Sequence, residues 1–482
     1  MQYKSRKGIP IFMHVLKNKD LLRGTVAIAL PIALQNLISF VVQLADTVML
    51  GLAPGGETLL SASSLANQPF FILSIACFGF SGAATVLSAQ YYGKKDYASV
   101  RVIFSIVLKA VIIVSLVLGF AALLIPEQVM RLYTADGAVI KHGAEYLRIL
   151  GYAYFTFGFS NTLVCCLRSV EIVKISVIVN LASLATNVFL NWVLIFGNLG
   201  APALGIQGAA IATLTARLLE FAIICVYVFI LEKRLRFRLR DMLSYSGTLA
   251  RDILKYGSPV LINEVAWAVA ISLQAVILGH ITYSAGDPVA ANSIANTIQQ
   301  LATIVIFGIA NAAAVMVGKA IGEGDTETAR QRAGAYKYIS YIVGAIACLV
   351  ILLLRDVAVG FYNIPEATKQ LATQMLVVTA FITFFVAQSA IFIVGVFRGA
   401  GDTRYCLIME LLCLWGISLP LAFLGAYVFM LPVPFVLALM KLDEPAKAVL
   451  CLIHLRRGKW LKVVTRDFSL GEPECTAAET AV

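Results

Sequence analysis

The apolar positions of this chain fall into long runs. They cover 26–52, 60–91, 102–125, 144–167, 174–197, 204–231, 258–282, 288–318, 336–354, 371–397, 405–428 and 430–454. About 20 apolar residues carry an α-helix across the hydrocarbon core of a bilayer. The pattern therefore predicts an all-α membrane protein with twelve transmembrane helices. The twelfth run departs from the others, because Lys441, Asp443, Glu444 and Lys447 interrupt it.

The polar gaps between the runs differ from one another in a regular way. Lys and Arg gather in the N-terminal segment and in the loops with Lys94, Lys95 and Arg101, with Arg168 and Lys174, from Glu232 to Tyr256, with Lys319, Arg330 and Arg332, and with Arg398 and Arg404; they recur after Lys441. The intervening loops at 53–58, 197–203 and 282–287 contain neither residue. Basic loops stay on the cytoplasmic side, so the alternation predicts a multi-pass chain with both termini cytoplasmic. The first apolar run has no small-residue cleavage site of the kind that follows a signal peptide. The tail from Ser469 is polar and is expected to be disordered.

The runs also repeat. At a shift of about 229 residues, Pro31 meets Pro259, Asn67 in LANQ meets Asn296 in IANT, the loop at 92–101 meets that at 321–330, and LRS at 167–169 meets FRG at 397–399. The repeat unit is six helices, an even number, so both halves should have the same orientation about an axis along the membrane normal, as in transporters that hold substrate between halves. The expected organisation is a cytoplasmic segment at 1–24, a six-helix bundle at 25–231, a basic linker at 232–257, a second six-helix bundle at 258–455 and a cytoplasmic tail at 456–482.

Composition agrees with this reading. The 482 residues are 60% hydrophobic and only 13% charged, against about a quarter charged in soluble domains. The net charge of +11 is spread over loops and does not form one basic face, so it speaks for orientation, and for attraction of anionic lipid by the linker, rather than for nucleic acid. The nine cysteines, Cys165 and Cys166 among them, show no CxxC spacing and read as small buried apolar residues in a reducing setting. The GKK at 93–95 and VGKA at 317–320 lack the pattern of a phosphate-binding loop, and no nucleophile motif, zinc motif or carboxylate pair is present. An enzyme is not expected, and neither is any cofactor.

Polar residues inside the runs are the functional candidates. Asp46 is the lone carboxylate of the first run, and an ionisable group within a span is a functional-site hypothesis. The structural alternative is that it lies roughly 30 Å along the helix, at the outer end, and faces water. Asn187 and Asn191 in the fifth run are four apart and share a helix face; they could help a carboxylate hold a cation or proton, or only join two helices. Glu264 in the seventh run has no basic residue within a turn or two and reads as a buried carboxylate suited to carry a proton, or as a neutral hydrogen-bonding group. Glu410, Gln43, Gln274 and Gln388 are lesser candidates, and Asp96, Asp325 and Asp402 read as turn and cap residues.

ADTVMLG at 45–51, GAAIAT at 208–213, FRGAGDTR at 397–404 and GKW near VVTR at the end of the chain together resemble the multidrug and toxic compound extrusion (MATE) transporters. The resemblance implies two six-helix bundles around a central cavity, and export of small organic, often cationic, compounds in exchange for H⁺ or Na⁺. It also implies that Asp46, Asn187 and Asn191 form the cation-coupling site of the N-terminal bundle, with Na⁺ as the one metal ion that could bind there. Glu264 is a possible second site, although it follows Pro259 by about one turn less than the family pattern, and the tenth run lacks the acidic residue that some branches carry. The expected setting is the cell membrane; the expected partners are a small organic substrate and membrane lipids, and the working unit a monomer. The rival is a flippase for a lipid-linked precursor, whose cavity would require several basic residues; the spans hold Lys109, Arg148, Arg217 and Lys337.

Overall fold

The structure is a computed structural model that describes residues 19–54, 56–362 and 364–466, with backbone only at 56 and 57. The expectations for residues 1–18 and for the tail from Ser469 lie outside the described residues. Among the described residues, eleven helices are long and apolar enough to cross a membrane: Lys19–Gly51, Thr58–Gly93, Tyr97–Leu124, Gly137–Ser169, Lys174–Phe196, Ile206–Leu231, Gly247–Gly279, Pro288–Gly322, Thr326–Gly360, Glu366–Phe397 and Thr403–Val428. They are numbered below as spans one to eleven. No strand occurs among the described residues.

The twelfth apolar run forms two helices, Val433–Met440 and Asp443–Arg457. Pro445 lies in the first turn of the second, where its missing N–H has no intrahelical partner to lose. Three of the four charges that interrupt this run are also accounted for. Lys447 Nζ lies 2.9 Å from Glu410, 2.7 Å from Asp443 and 2.8 Å from Glu444, with its side chain 3% exposed. Ser418, at the end of a π-helical stretch in span eleven, accepts the Asp443 N–H at 2.7 Å. Polar residues in an apolar segment are thus buried by satisfying one another.

Two compact units are present, and they do not follow the two sequence halves. Residues 19–33 group with Val265–Val464, and Leu34–Glu264 group with 465–466. Both boundaries fall inside long helices two to five residues after a proline, Pro31 in span one and Pro259 in span seven. A proline inside a helix removes one backbone hydrogen bond and favours a bend there.

Each unit receives the foreign helix at an equivalent glycine. At Gly308, in the first unit, a Cβ would lie 2.7 Å from the Ala29 carbonyl oxygen. At Gly79, in the second, it would lie 2.5 Å from Leu261 Cδ1 and 3.1 Å from the Leu261 Cα. The two glycines are 229 positions apart, so the internal repeat extends to the packing of the helix backbones.

The repeat is equally exact in the loops. Asp96 accepts hydrogen bonds from the Ser99 N–H at 3.0 Å and Oγ at 2.6 Å, and Asp325 from the Thr328 N–H at 2.9 Å and Oγ1 at 2.6 Å. Both are N-caps, as expected. Asp402 is not a side-chain cap. It binds His454 Nε2 at 2.8 Å and Lys462 Nζ, because the segment after the last helix returns to span ten and buries Trp460 beside Phe397.

Candidate functional site

Asp46 lies five residues before the end of span one and is half-buried. It does not simply face water. Asn191 Nδ2 donates to Asp46 Oδ1 at 2.5 Å and also lies 3.2 Å from Asn187 Oδ1. Asn187 Nδ2 in turn donates to Thr213 Oγ1 at 3.3 Å. Spans one, five and six thus meet through one chain of polar contacts.

The local sequence explains why they meet. Asn187 and Asn191, 1% and 0% exposed, are one helical turn apart and so point the same way. Span six can approach them because Gly208 has no side chain: a Cβ there would lie 2.6 Å from the Leu194 carbonyl oxygen. That contact brings Thr213, at the end of the GAAIAT motif, against Asn187.

Besides Thr213, two groups beyond the expected three complete the surroundings. The Tyr146 side chain, 3% exposed, has its hydroxyl 3.5 Å from Asn67 Nδ2 and is an electrostatic neighbour of Asp46. Arg217, one turn after Thr213, is a second such neighbour. Its guanidinium is held by the Glu220 carboxylate at 2.9 Å to both oxygens and by the rings of Phe157 and Phe70, at 5.0 and 5.7 Å. Sequence reasoning could have found Thr213 through its motif; Tyr146 had no such signal.

Asn191 Oδ1 is buried and has no hydrogen-bond partner among the described residues. It is therefore an acceptor available beside a carboxylate. A buried unpaired carbonyl costs about 1–3 kcal/mol, so a proton on Asp46 or a cation between the two groups would offset that penalty. The residues present fit either ligand.

The other candidates divide. Glu264 is half-buried and is engaged by a neighbouring group, which corrects the expectation of a buried, unpaired carboxylate; in span seven its neighbours Ile262, Val265 and Trp267 are 43–50% exposed. Glu410 belongs to the Lys447 cluster. Gln274 donates to the Met440 carbonyl at 3.1 Å and Gln388 to Phe384 in its own helix at 3.3 Å, so both join backbone, while Gln43 is exposed. Of the basic residues in the spans, Lys109 donates to the Ser244 carbonyl at 2.8 Å and Arg217 is committed to Glu220. No group of three or more potential metal ligands among His, Cys, Asp and Glu occurs among the described residues.

Comparison with known proteins identifies the family. The MatE family matches residues 31–193 and 259–424, stretches that begin at the two helix prolines. The probable multidrug resistance protein NorM of Thermotoga maritima is 24% identical over 93% of this chain and 95% of its own length. That of Mesorhizobium japonicum is 29% identical over 85% and 88%. Among solved structures, an outward-facing multidrug resistance MATE family transporter of the MOP superfamily aligns with a TM-score of 0.79 at 20% identity, over 94% of this chain and 98% of its own. A eukaryotic MATE transporter aligns with a TM-score of 0.80 at 18% identity, over 94% and 97%. At these identities the structures establish the fold, twelve transmembrane helices in two bundles. This chain is a multi-pass membrane protein that belongs to the MatE family, the multidrug and toxic compound extrusion transporters.

Proposed function

We propose that this protein is a secondary antiporter, not an enzyme, that exports small organic, chiefly cationic compounds in exchange for H⁺ or Na⁺. The observation that carries the reading is the contact of Asp46 with Asn191, continued through Asn187 to Thr213. A carboxylate that is half-buried in a span and rests on two amides can bind and release a small cation with little rearrangement.

In this reading Asp46, Asn187 and Asn191 are the coupling site. Asp46 in its ion-bound form favours one facing state and Asp46 empty favours the other, because a ligand shifts a conformational equilibrium only through its differential affinity for the two states. Bending of span one at Pro31 is the motion that would report the ion to the rest of the bundle. The recess lined by Val41, Leu184, Val188, Phe189 and Trp192 is apolar and aromatic, which suits a lipophilic cation. The protein would act as a monomer in the cell membrane with both termini cytoplasmic.

The test is export of a fluorescent cationic dye from vesicles under an imposed H⁺ or Na⁺ gradient, for the intact chain and for Asp46→Asn. Export driven by one gradient and abolished by the substitution is the expected result. Export that persists in Asp46→Asn would move the coupling site to Glu264. A folded protein that moves no dye under either gradient would contradict drug export for the dyes tested.

A further inference from the structure

The loop between spans six and seven is the most basic stretch of the chain, and it is held rigidly. Leu235 and Phe237 are 1% and 3% exposed, and Phe237 packs on Phe104 and Phe229 with ring centroids 6.2 and 6.1 Å away. Span three fixes its backbone. Arg101 donates to the Leu235 carbonyl at 3.1 Å, Ser105 Oγ lies 2.9 Å from the carbonyls of both Met242 and Ser244, and Lys109 donates to Ser244.

With alternate residues pinned inward, Arg234, Arg236 and Arg238 are exposed, together with Lys233 and Arg240. The two carboxylates of the loop do not neutralise them. Glu232 accepts the backbone N–H groups of Arg234, Leu235 and Arg236 at 2.6, 2.9 and 3.0 Å, and Asp241 accepts that of Arg238 at 2.7 Å. Among the described residues, no ion pair engages the guanidinium of Arg234, Arg236, Arg238 or Arg240.

Exposed apolar side chains flank this comb of arginines. Leu231, Leu239, Leu243 and Tyr245 are 59%, 66%, 81% and 51% exposed. The loop begins and ends at membrane-spanning helices, so it lies at the bilayer boundary. Basic groups interleaved with exposed leucines at that depth match a surface that is anionic outside and apolar beneath. A soluble anion or a nucleic acid would use the arginines and leave the leucines in water.

We propose that residues 233–245 form a docking surface for anionic phospholipid, with the arginines on the headgroup phosphates and Leu239 and Leu243 in the acyl boundary. Only the choice of leaflet rests on the cytoplasmic orientation proposed above.

The experiment uses the full chain purified in neutral detergent, with bound dioleoyl-phosphatidylglycerol or dioleoyl-phosphatidylcholine counted by native mass spectrometry. The expected result is retention of phosphatidylglycerol over phosphatidylcholine, with apparent affinity falling about fivefold for each arginine replaced by glutamine at 234, 236, 238 and 240. Arg240→Gln alone, whose side chain is exposed, provides the measurement if the fourfold variant does not fold. Equal retention by the variants, equal retention of phosphatidylcholine, or complete displacement by inorganic phosphate would overturn the proposal. Labelling of Arg240→Cys by an impermeant thiol reagent then reads the leaflet separately. Reaction in inside-out vesicles alone supports the cytoplasmic leaflet; reaction in right-side-out vesicles alone overturns that assignment while the binding result stands.

Discussion

Asn191 holds Asp46 through the same amide nitrogen that contacts Asn187. The carboxylate is therefore positioned by a side chain that is itself positioned. A hydrogen bond to a charged group contributes about 1.5–3 kcal/mol. Asn191→Ala is expected to shift the coupling-ion concentration for half-maximal dye export by tenfold or more. Thr213→Val, which removes a neutral partner of Asn187 and of Tyr146, should shift it a few fold at most, in line with the roughly 0.5–1.5 kcal/mol of a neutral hydrogen bond. Titrating export against the driving ion in both variants checks the order.

Gly208 predicts an effect on the same site from outside it. A Cβ added there would lie 2.6 Å from the Leu194 carbonyl oxygen, and backbone cannot rotate aside. Gly208→Ala should separate spans five and six and lower export with little change in expression. Gly334→Ala in span nine is the control. Nothing lies within 4 Å of a Cβ there, and the gain in helix propensity of about 1 kcal/mol should leave stability unchanged or slightly higher.

The Lys447 cluster predicts a large loss of stability from a single change. Removing one partner of a buried ion pair costs about 3–5 kcal/mol because the opposite charges stay buried. Lys447→Met leaves Glu410, Asp443 and Glu444 facing one another and should lower the thermal unfolding temperature in detergent strongly. Adding Glu410→Gln, Asp443→Asn and Glu444→Gln to the same chain should recover part of the loss.

Asp402 predicts a dependence on pH. Burial pushes its carboxyl up, but the hydrogen bonds from His454 and Lys462 outweigh that and hold it below the ordinary carboxylate value. A carboxyl whose pKa is lowered on folding stabilises above its unfolded pKa, about 3.9, and the contribution disappears as pH falls through the folded value. With Lys462 half exposed, the contribution is about 1 kcal/mol or less. Asp402→Asn should therefore lower the unfolding temperature slightly at pH 7, and the difference from the unsubstituted chain should close towards pH 3.

Much of this was legible in the sequence, for physical reasons. Apolar runs reveal membrane helices because the bilayer demands length and composition, and the shift that aligns Pro31 with Pro259 also aligns Asp96 with Asp325, which cap their helices alike. Asn187 and Asn191 were legible because spacing fixes a helix face. Packing between distant segments was not. Nothing in the sequence indicates that residues 19–33 group with Val265–Val464, that Lys447 gathers Glu410 from span eleven, or that Tyr146 neighbours Asp46. Asp402 stands at the N-cap position, but its side chain turns to His454 and Lys462, which was not legible because those partners lie more than fifty residues away.

The central claim is that Asp46 couples ion movement to that of an organic cation. The most direct measurement is counterflow in proteoliposomes that hold a pH-sensitive or a Na⁺-sensitive dye, with ethidium added outside. Ethidium entry accompanied by exit of one of the two ions is expected in the intact chain, and neither movement in Asp46→Asn. Ethidium entry with no ion exit, or ion exit that Asp46→Asn leaves unchanged, would contradict it.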